Sequence, residues 1–74
     1  MRYYFDNDDD FYSANDDAGE ELSGIDAARH EAVKVATSIA RDLFTANGSG
    51  ITVTVRDKTQ AVFEVSVSLS RRDL

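Results

Sequence analysis

Four aspartates with the spacing of a calcium-binding loop are the residues of this sequence best suited to chemistry. Asp6, Asp8 and Asp10 form a D-x-D-x-D run, and Asp17 occupies the twelfth position counted from Asp6. Such spacing lets a tight loop converge several oxygens on one hard cation. Phe11, however, stands where these loops need glycine, and Asp17 is shorter than the usual bidentate glutamate. A divalent-metal (calcium) responsive module is therefore an alternative to a solvated acidic turn that discourages strand pairing.

Catalytic chemistry finds little support in the composition. The chain has one histidine, His30, and no cysteine. The absence of cysteine excludes disulfides, thiolate metal ligands and a cysteine nucleophile. His30 has no identifiable partner for a nucleophile–base pair, and a chain of 74 residues seldom encloses a pocket of useful volume. We therefore expect an exposed histidine, no enzymatic activity and no cofactor.

Charge is distributed unevenly along the chain. Residues 1–22 carry eight acidic side chains against Arg2 alone, whereas residues 23–74 are nearly neutral, and the net charge is −6. Nucleic-acid binding depends on neutralising phosphates, so we expect no nucleic-acid partner. The same asymmetry leaves a second alternative, in which the acidic third is a decoy for a basic nucleic-acid-binding protein.

One long helix is predicted between Ser23 and Gly48. The segment contains no proline, and its apolar residues recur with the helical period of 3.6. Ser23 is the expected N-cap, and Asn47-Gly48 is expected to end the helix in a left-handed conformation. The residues predicted to face the sheet are Ile25, Ala28, Ala32, Val35, Ala36, Ile39, Leu43 and Ala46.

Strands are predicted on both sides of this helix. After it, residues 51–56 and 61–69 alternate apolar and polar side chains around the polar turn 57–60, which predicts an antiparallel hairpin. Before it, the aromatic residues 2–6 predict a strand, and Phe11-Tyr12 is expected to begin a short second strand. Residues 15–21 are expected to form a polar loop. The chain thus predicts a single two-layer α+β domain over residues 1–74, in the order β-β-α-β-β, with one helix on an antiparallel sheet of three or four strands.

Four residues are candidates for contacts with a partner. Tyr4 and Tyr12 are aromatic side chains expected on a wet surface, which is typical of interfaces. Lys34 and Arg41 are expected on the outer face of the helix, where they suit an acidic partner, although such charges are more often only solvated. A thin core and exposed strand edges favour a homo-oligomer or a protein partner.

Signals for membrane insertion or export are missing from the sequence. The chain has no apolar run near the length of a membrane span, and it opens with aromatic and acidic residues, unlike a signal peptide. We therefore expect no membrane partner and a cytoplasmic protein.

The order of short motifs resembles that of a family of short bacterial domains of unknown function. The motifs are R-Y-Y-F at residues 2–5, D-D-A-G-E-E-L at 16–22, A-A-R-H-E-A at 27–32 and V-R-D at 55–57. The chain departs from that family where its members usually carry D-G turns. The resemblance implies an architecture and no catalytic residues. We expect a small non-enzymatic interaction or accessory domain, and the thin core and exposed strand edges indicate that it self-associates.

Overall fold

The computed structural model describes residues 1–74 and has one helix packed against one face of an open antiparallel sheet. This confirms the predicted α+β class and the hairpin after the helix. The main path of the sheet has four strands, within the predicted three or four, and the polar segment before the helix adds one more short strand beside it. The elements are β1 (Arg2–Asp9), β2 (Ser13–Ala14), β3 (Glu20–Glu21), α1 (Ile25–Thr45), β4 (Gly50–Arg56) and β5 (Ala61–Ser68).

The helix is shorter than predicted and begins differently. Gly24, not Ser23, is the N-cap residue, and no side chain caps the first turn. The far end is as predicted: Asn47 has a φ of 70°, and the Gly48 amide donates to the Leu43 carbonyl at 2.9 Å. A Cβ at Gly48 would overlap the Leu43 side chain, so this close approach requires glycine. The helix lacks the combination of length and apolar character needed to cross a membrane.

A row of alanines lets the helix lie close to the sheet. The buried helix residues are four alanines spaced four apart and one leucine, namely Ala28, Ala32, Ala36, Ala40 and Leu43. They pack with Tyr3, Phe5 and the inner face of β4, where Val53 and Val55 are fully buried. Ala40 is an addition to the predicted stripe, and Ala46 is exposed, contrary to prediction, because the helix ends before it.

The sheet has the order β2-β1-β4-β5, with β3 also paired to β1. The first strand of the chain is therefore internal, because β4 lies on one side of it and two short strands lie on the other. Phe5 faces Val55 in the β1–β4 ladder, and Val53 faces Val65 in the β4–β5 ladder. The short second strand lies at Ser13–Ala14, two residues later than predicted, because Phe11 and Tyr12 form the turn that precedes it.

Candidate functional site

The outer edge of β1, on the side away from β4, is closed along its length. The closure combines two short strands with one carboxylate: Tyr3 faces Glu20 of β3, and Asn7 faces Ala14 of β2. Between these strands the Phe5 amide donates to the Asp16 carboxylate at 3.1 Å. We call this side of the sheet the closed edge.

Asp16 is held in place by its own loop. One of its carboxylate oxygens accepts hydrogen bonds from the amides of Ala18 at 3.1 Å and Gly19 at 3.0 Å, and the other accepts from Phe5. These donors, the Gly19 amide foremost, hold the pKa of Asp16 below its usual value. Gly19 has a φ of 73°, and a Cβ there would lie 2.8 Å from the Tyr4 ring, so the turn requires glycine.

A polar network on the outer face of the sheet joins this loop to β4. The Arg56 guanidinium donates to the Asp6 carboxylate at 2.7 Å and to the Asp16 carbonyl at 2.6 Å. It also lies over the Tyr4 ring, 4.6 Å from its centre. The hydrogen bond to Asp6 raises the pKa of Arg56 above its usual value. Asp6 in turn accepts from the Asp16 amide at 2.9 Å, so two side chains, Arg56 and Asp6, link β4 and β1 to the backbone of the loop at Asp16.

The four aspartates of the predicted calcium site do not converge. Asp6 and Asp8 lie on the extended strand β1, where Asp6 binds Arg56 and Asp8 accepts from the Ser13 hydroxyl at 2.8 Å. Asp17 is exposed. No group of three or more His, Cys, Asp or Glu side chains is arranged to hold a metal ion.

Asp10, the fourth aspartate, forms hydrogen bonds that link two turns far apart in the sequence. Its carboxylate accepts from the Gly50 amide at 3.0 Å and from the amide and hydroxyl of Ser49 at 3.1 and 2.9 Å. The hydrogen bond from Gly50 is the main cause that lowers the pKa of Asp10. This contact ties the turn after β1 to the junction between the helix and β4.

The opposite edge of the sheet, along β5, has no partner strand. The Leu69 amide donates to the Ser49 carbonyl at 2.9 Å, which continues the register that pairs Ile51 with Val67. Antiparallel ladders alternate the direction of their backbone groups. The odd-numbered residues of β5 therefore bond to β4, and the backbone groups of Glu64, Ser66 and Ser68 point to solvent. We call these groups, together with Val62 at the bulge, the free edge.

The side chains of β5 are less buried than those of its neighbour. On the helix side, Phe63, Val65 and Val67 stay half-buried, whereas the facing residues of β4 are almost completely buried. On the outer side Val62 is 42% exposed. Glu64 is the single charged residue of the strand. A further strand beside β5 would cover these half-buried side chains.

The four residues predicted to contact a partner do not share one surface. Tyr4 lies under Arg56 on the outer face of the sheet. Lys34 lies on the exposed face of the helix, 3.7 Å from the Glu31 carboxylate, and Arg41 is also exposed on the helix. Tyr12 is 76% exposed in the turn after β1.

A shallow groove beside that turn is largely apolar. Phe11 and Tyr12 line it from the turn, and the end of the helix supplies Ile39, Leu43 and Ala46. Asp9 and Asp42 stand at its margin, so the groove combines apolar and acidic character. His30, on the helix, lines a separate depression with Val33 and Lys34.

Asp16 was not among the predicted site residues, although a signal for it is present. In the motif Asp16-Asp17-Ala18-Gly19, the first aspartate accepts hydrogen bonds from the amides two and three residues later. Glycine stands at the position that needs a positive φ. The long-range bond to Phe5 has no such local signal, because it depends on the path of the loop.

A comparison with known families assigns the chain to one of them. The model of a domain of unknown function, DUF6894, matches residues 2–68, from the start of β1 to the end of β5. No curated protein and no solved structure matches the chain.

Proposed function

We propose that this chain, which belongs to the DUF6894 family of domains of unknown function, is a non-enzymatic interaction domain that binds its partner as an added strand along the free edge of β5. Strand addition supplies affinity through backbone hydrogen bonds and specificity through alternate side chains. The partner strand would lie beside β5 and bond to Glu64, Ser66 and Ser68.

The difference between the two edges of the sheet carries this proposal. At the closed edge, β2 and β3 pair with the outward backbone of β1, and the Asp16 carboxylate accepts the Phe5 amide between them. The free edge lies on an eight-residue strand, β5, and has none of these covers. Exposed edges are usually guarded by lysine, proline, an inward-pointing charge or a bulge. In β5 the one irregularity lies near its start, opposite Val55 and Arg56.

The acidic segment is a weaker candidate for the binding surface. The carboxylates of Asp6, Asp10 and Asp16 accept hydrogen bonds from groups of this same chain. A basic partner would have to compete with those bonds. We therefore rank the acidic decoy below strand addition, and we rank the surface around Lys34 and Arg41 below it as well, since exposed charges contribute little to affinity.

Strand addition can be tested with a synthetic peptide of residues 60–69 that is blocked at both ends. The peptide is added to isotope-labelled protein, and the protein itself is kept at low micromolar concentration. The expected result is slowed amide exchange at Glu64, Ser66 and Ser68, with little change at the amides of Phe63 and Val65, which already bond to β4. A peptide of the same composition in scrambled order is the control. Changes confined to other surfaces, or no changes, would contradict the proposal.

A variant in which the free edge is blocked provides a second test of strand addition. Ser66→Pro removes one edge-facing N–H and leaves the β4–β5 ladder in place, because the Ser66 amide does not point to β4. We expect the variant to remain folded and to lose peptide-induced protection. Ser38→Ala, on the exposed face of the helix, should bind the peptide as the parent does.

A further inference from the structure

We propose that the partner at the free edge is a second copy of this chain, joined by antiparallel pairing of β5 with β5 about a two-fold axis through Val65. This inference rests on the proposed strand addition and names its partner. The result is one continuous sheet in the order β2-β1-β4-β5-β5-β4-β1-β2, with the helices of both copies on the same face.

Backbone direction restricts the register of this pairing. The edge-facing groups belong to even-numbered residues, so an even-numbered residue must face an even-numbered residue of the second copy. The register centred on Val65 places Glu64 opposite Ser66 and Val62 opposite Ser68, and it pairs residues 62–68, which is all of β5 except its first residue. A register centred on Glu64 sets two carboxylates against each other, which destabilises the pair. A register centred on Ser66 extends beyond the end of β5.

Side chains on the helix side fit the same register. Val65 faces Val65 of the second copy, and Phe63 faces Val67. All three are half-buried in the single chain, and neighbouring apolar side chains across the new ladder would cover them further. On the outer side, no two like charges face each other, because Glu64 is the single charge in β5.

The distribution of charge also favours this arrangement over one through the other edge. The eight acidic residues of positions 1–22 lie on β1, on the short strands that pair with it and on their connecting loops. They are therefore at the other end of the strand order from β5. Pairing through β5 keeps the acidic segments of the two copies at the far ends of the joint sheet, where their repulsion is smallest.

The first test is the oligomeric state as a function of concentration, measured by sedimentation from about 1 µM to about 1 mM. A single pair of eight-residue strands forms a small interface, so we expect reversible dimerisation with a dissociation constant on the order of micromolar or weaker. In a sample mixing labelled and unlabelled protein, the Phe63 Hα should show an intermolecular contact to the Val67 Hα of the second copy. Ser66→Pro should be monomeric throughout.

A charge substitution then tests the register. In the register centred on Val65, Ser66→Lys places a lysine opposite Glu64 twice per dimer, and we expect dimerisation to tighten roughly 2- to 30-fold. Ser68→Lys, which faces Val62, is the matched control and should give no such gain. Weaker dimerisation of Ser66→Lys would indicate two lysines facing each other and would overturn this register.

The outcomes separate this inference from the proposed function. A chain that stays monomeric at millimolar concentration but binds the peptide of residues 60–69 at β5 retains strand addition and overturns the second copy as partner. A dimer whose protected residues lie around Phe11 and Tyr12 overturns the β5 pairing. A chain that neither dimerises nor binds the peptide overturns both.

Discussion

The Asp16 carboxylate accepts the Phe5 amide proton at 3.1 Å, in the gap between two short strands that pair with the same edge of β1. A side chain thus performs the task of a strand at this one position. The same carboxylate also binds the amides of Ala18 and Gly19. One residue therefore contributes both to the closure of this edge and to the fold of the loop.

Replacement of Asp16 by alanine should destabilise the protein by about 1 to 2 kcal/mol, because three amide donors lose their acceptor. Urea unfolding measures this change. The matched control is Asp17→Ala, at an exposed neighbour, which removes the same charge and should change the free energy of unfolding much less. Equal losses in the two variants would mean that Asp16 acts through charge alone.

Stability should fall as the solution is acidified below about pH 4. Hydrogen bonds hold the pKa values of Asp10, Asp16 and Asp57 below their usual range, with the Thr59 amide as the main cause at Asp57. A carboxylate whose pKa is lower in the folded state adds stability above its unfolded pKa, near 3.9, and loses it as the pH falls through the folded value.

Urea unfolding between pH 7 and pH 2.5 measures this dependence. In a variant with asparagine at positions 10, 16 and 57, the free energy of unfolding should be lower at pH 7 and should decline less on acidification. An unchanged decline would assign the acid sensitivity to other carboxylates.

Arg56 and Asp6 should show a clear coupling energy in a double-mutant cycle. Their ion pair is partly shielded, with exposed fractions of 34% and 20%, and Arg56 also contacts the Asp16 carbonyl and the Tyr4 ring. We expect Arg56→Ala and Asp6→Ala together to cost less than the sum of the single changes.

The pair formed by Asp26 and Arg29 on the helix is the control for this cycle. Its side chains are 94% and 63% exposed, so its coupling should be close to zero. A coupling energy between Asp6 and Arg56 no larger than that of the control would show that this network does not stabilise the protein.

The alanine row should not tolerate a larger side chain. Ala32 is fully buried where the helix crosses the sheet, and Ala32→Leu should destabilise by about 1 to 3 kcal/mol because the helix must move away from the sheet. Ser38→Leu, on the exposed face of the same helix, should stay within about 0.5 kcal/mol of the parent. Thermal or urea unfolding of both variants tests this difference.

Calcium should leave the protein unchanged. The Asp6 carboxylate already accepts a hydrogen bond from Arg56, and the Asp10 carboxylate already accepts hydrogen bonds from Ser49 and Gly50. Amide spectra with and without millimolar calcium are the test, and we expect no shifts at residues 6–17. Shifts in that segment that disappear in Asp8→Asn would raise the calcium-responsive module from an alternative to the leading candidate function.

The helix and the hairpin after it could be predicted because their signals are local. Alternation along residues 51–56 and 61–69 and the period of the alanines depend only on neighbouring residues. The two-residue strands could not be placed reliably, because β2 and β3 form through pairing with β1 and not through their own composition. The Ser23 cap was wrong because the helix begins one residue later than its side chain would need.

The site was harder to predict than the fold. The spacing of the acidic run predicts one group, but its members have separate partners on different elements: Arg56 for Asp6, Ser13 for Asp8 and Ser49 for Asp10. Two of these partners lie more than 35 residues away along the chain, and no local spacing identifies them. The contrast between the closed and the free edge likewise exists only once the strand order is known.

The strand order also determines how the chain must be made. The aromatic strand β1 leaves the ribosome first, but its long-range partner β4 is synthesised only after the whole helix. During that interval Tyr3, Tyr4 and Phe5 are without their sheet and exposed to other nascent chains. We expect the dense negative charge that surrounds them to keep such chains apart, as charged residues beside apolar strands do in other proteins. On this view, the acidity of the first third of the chain has its main effect before the protein is folded.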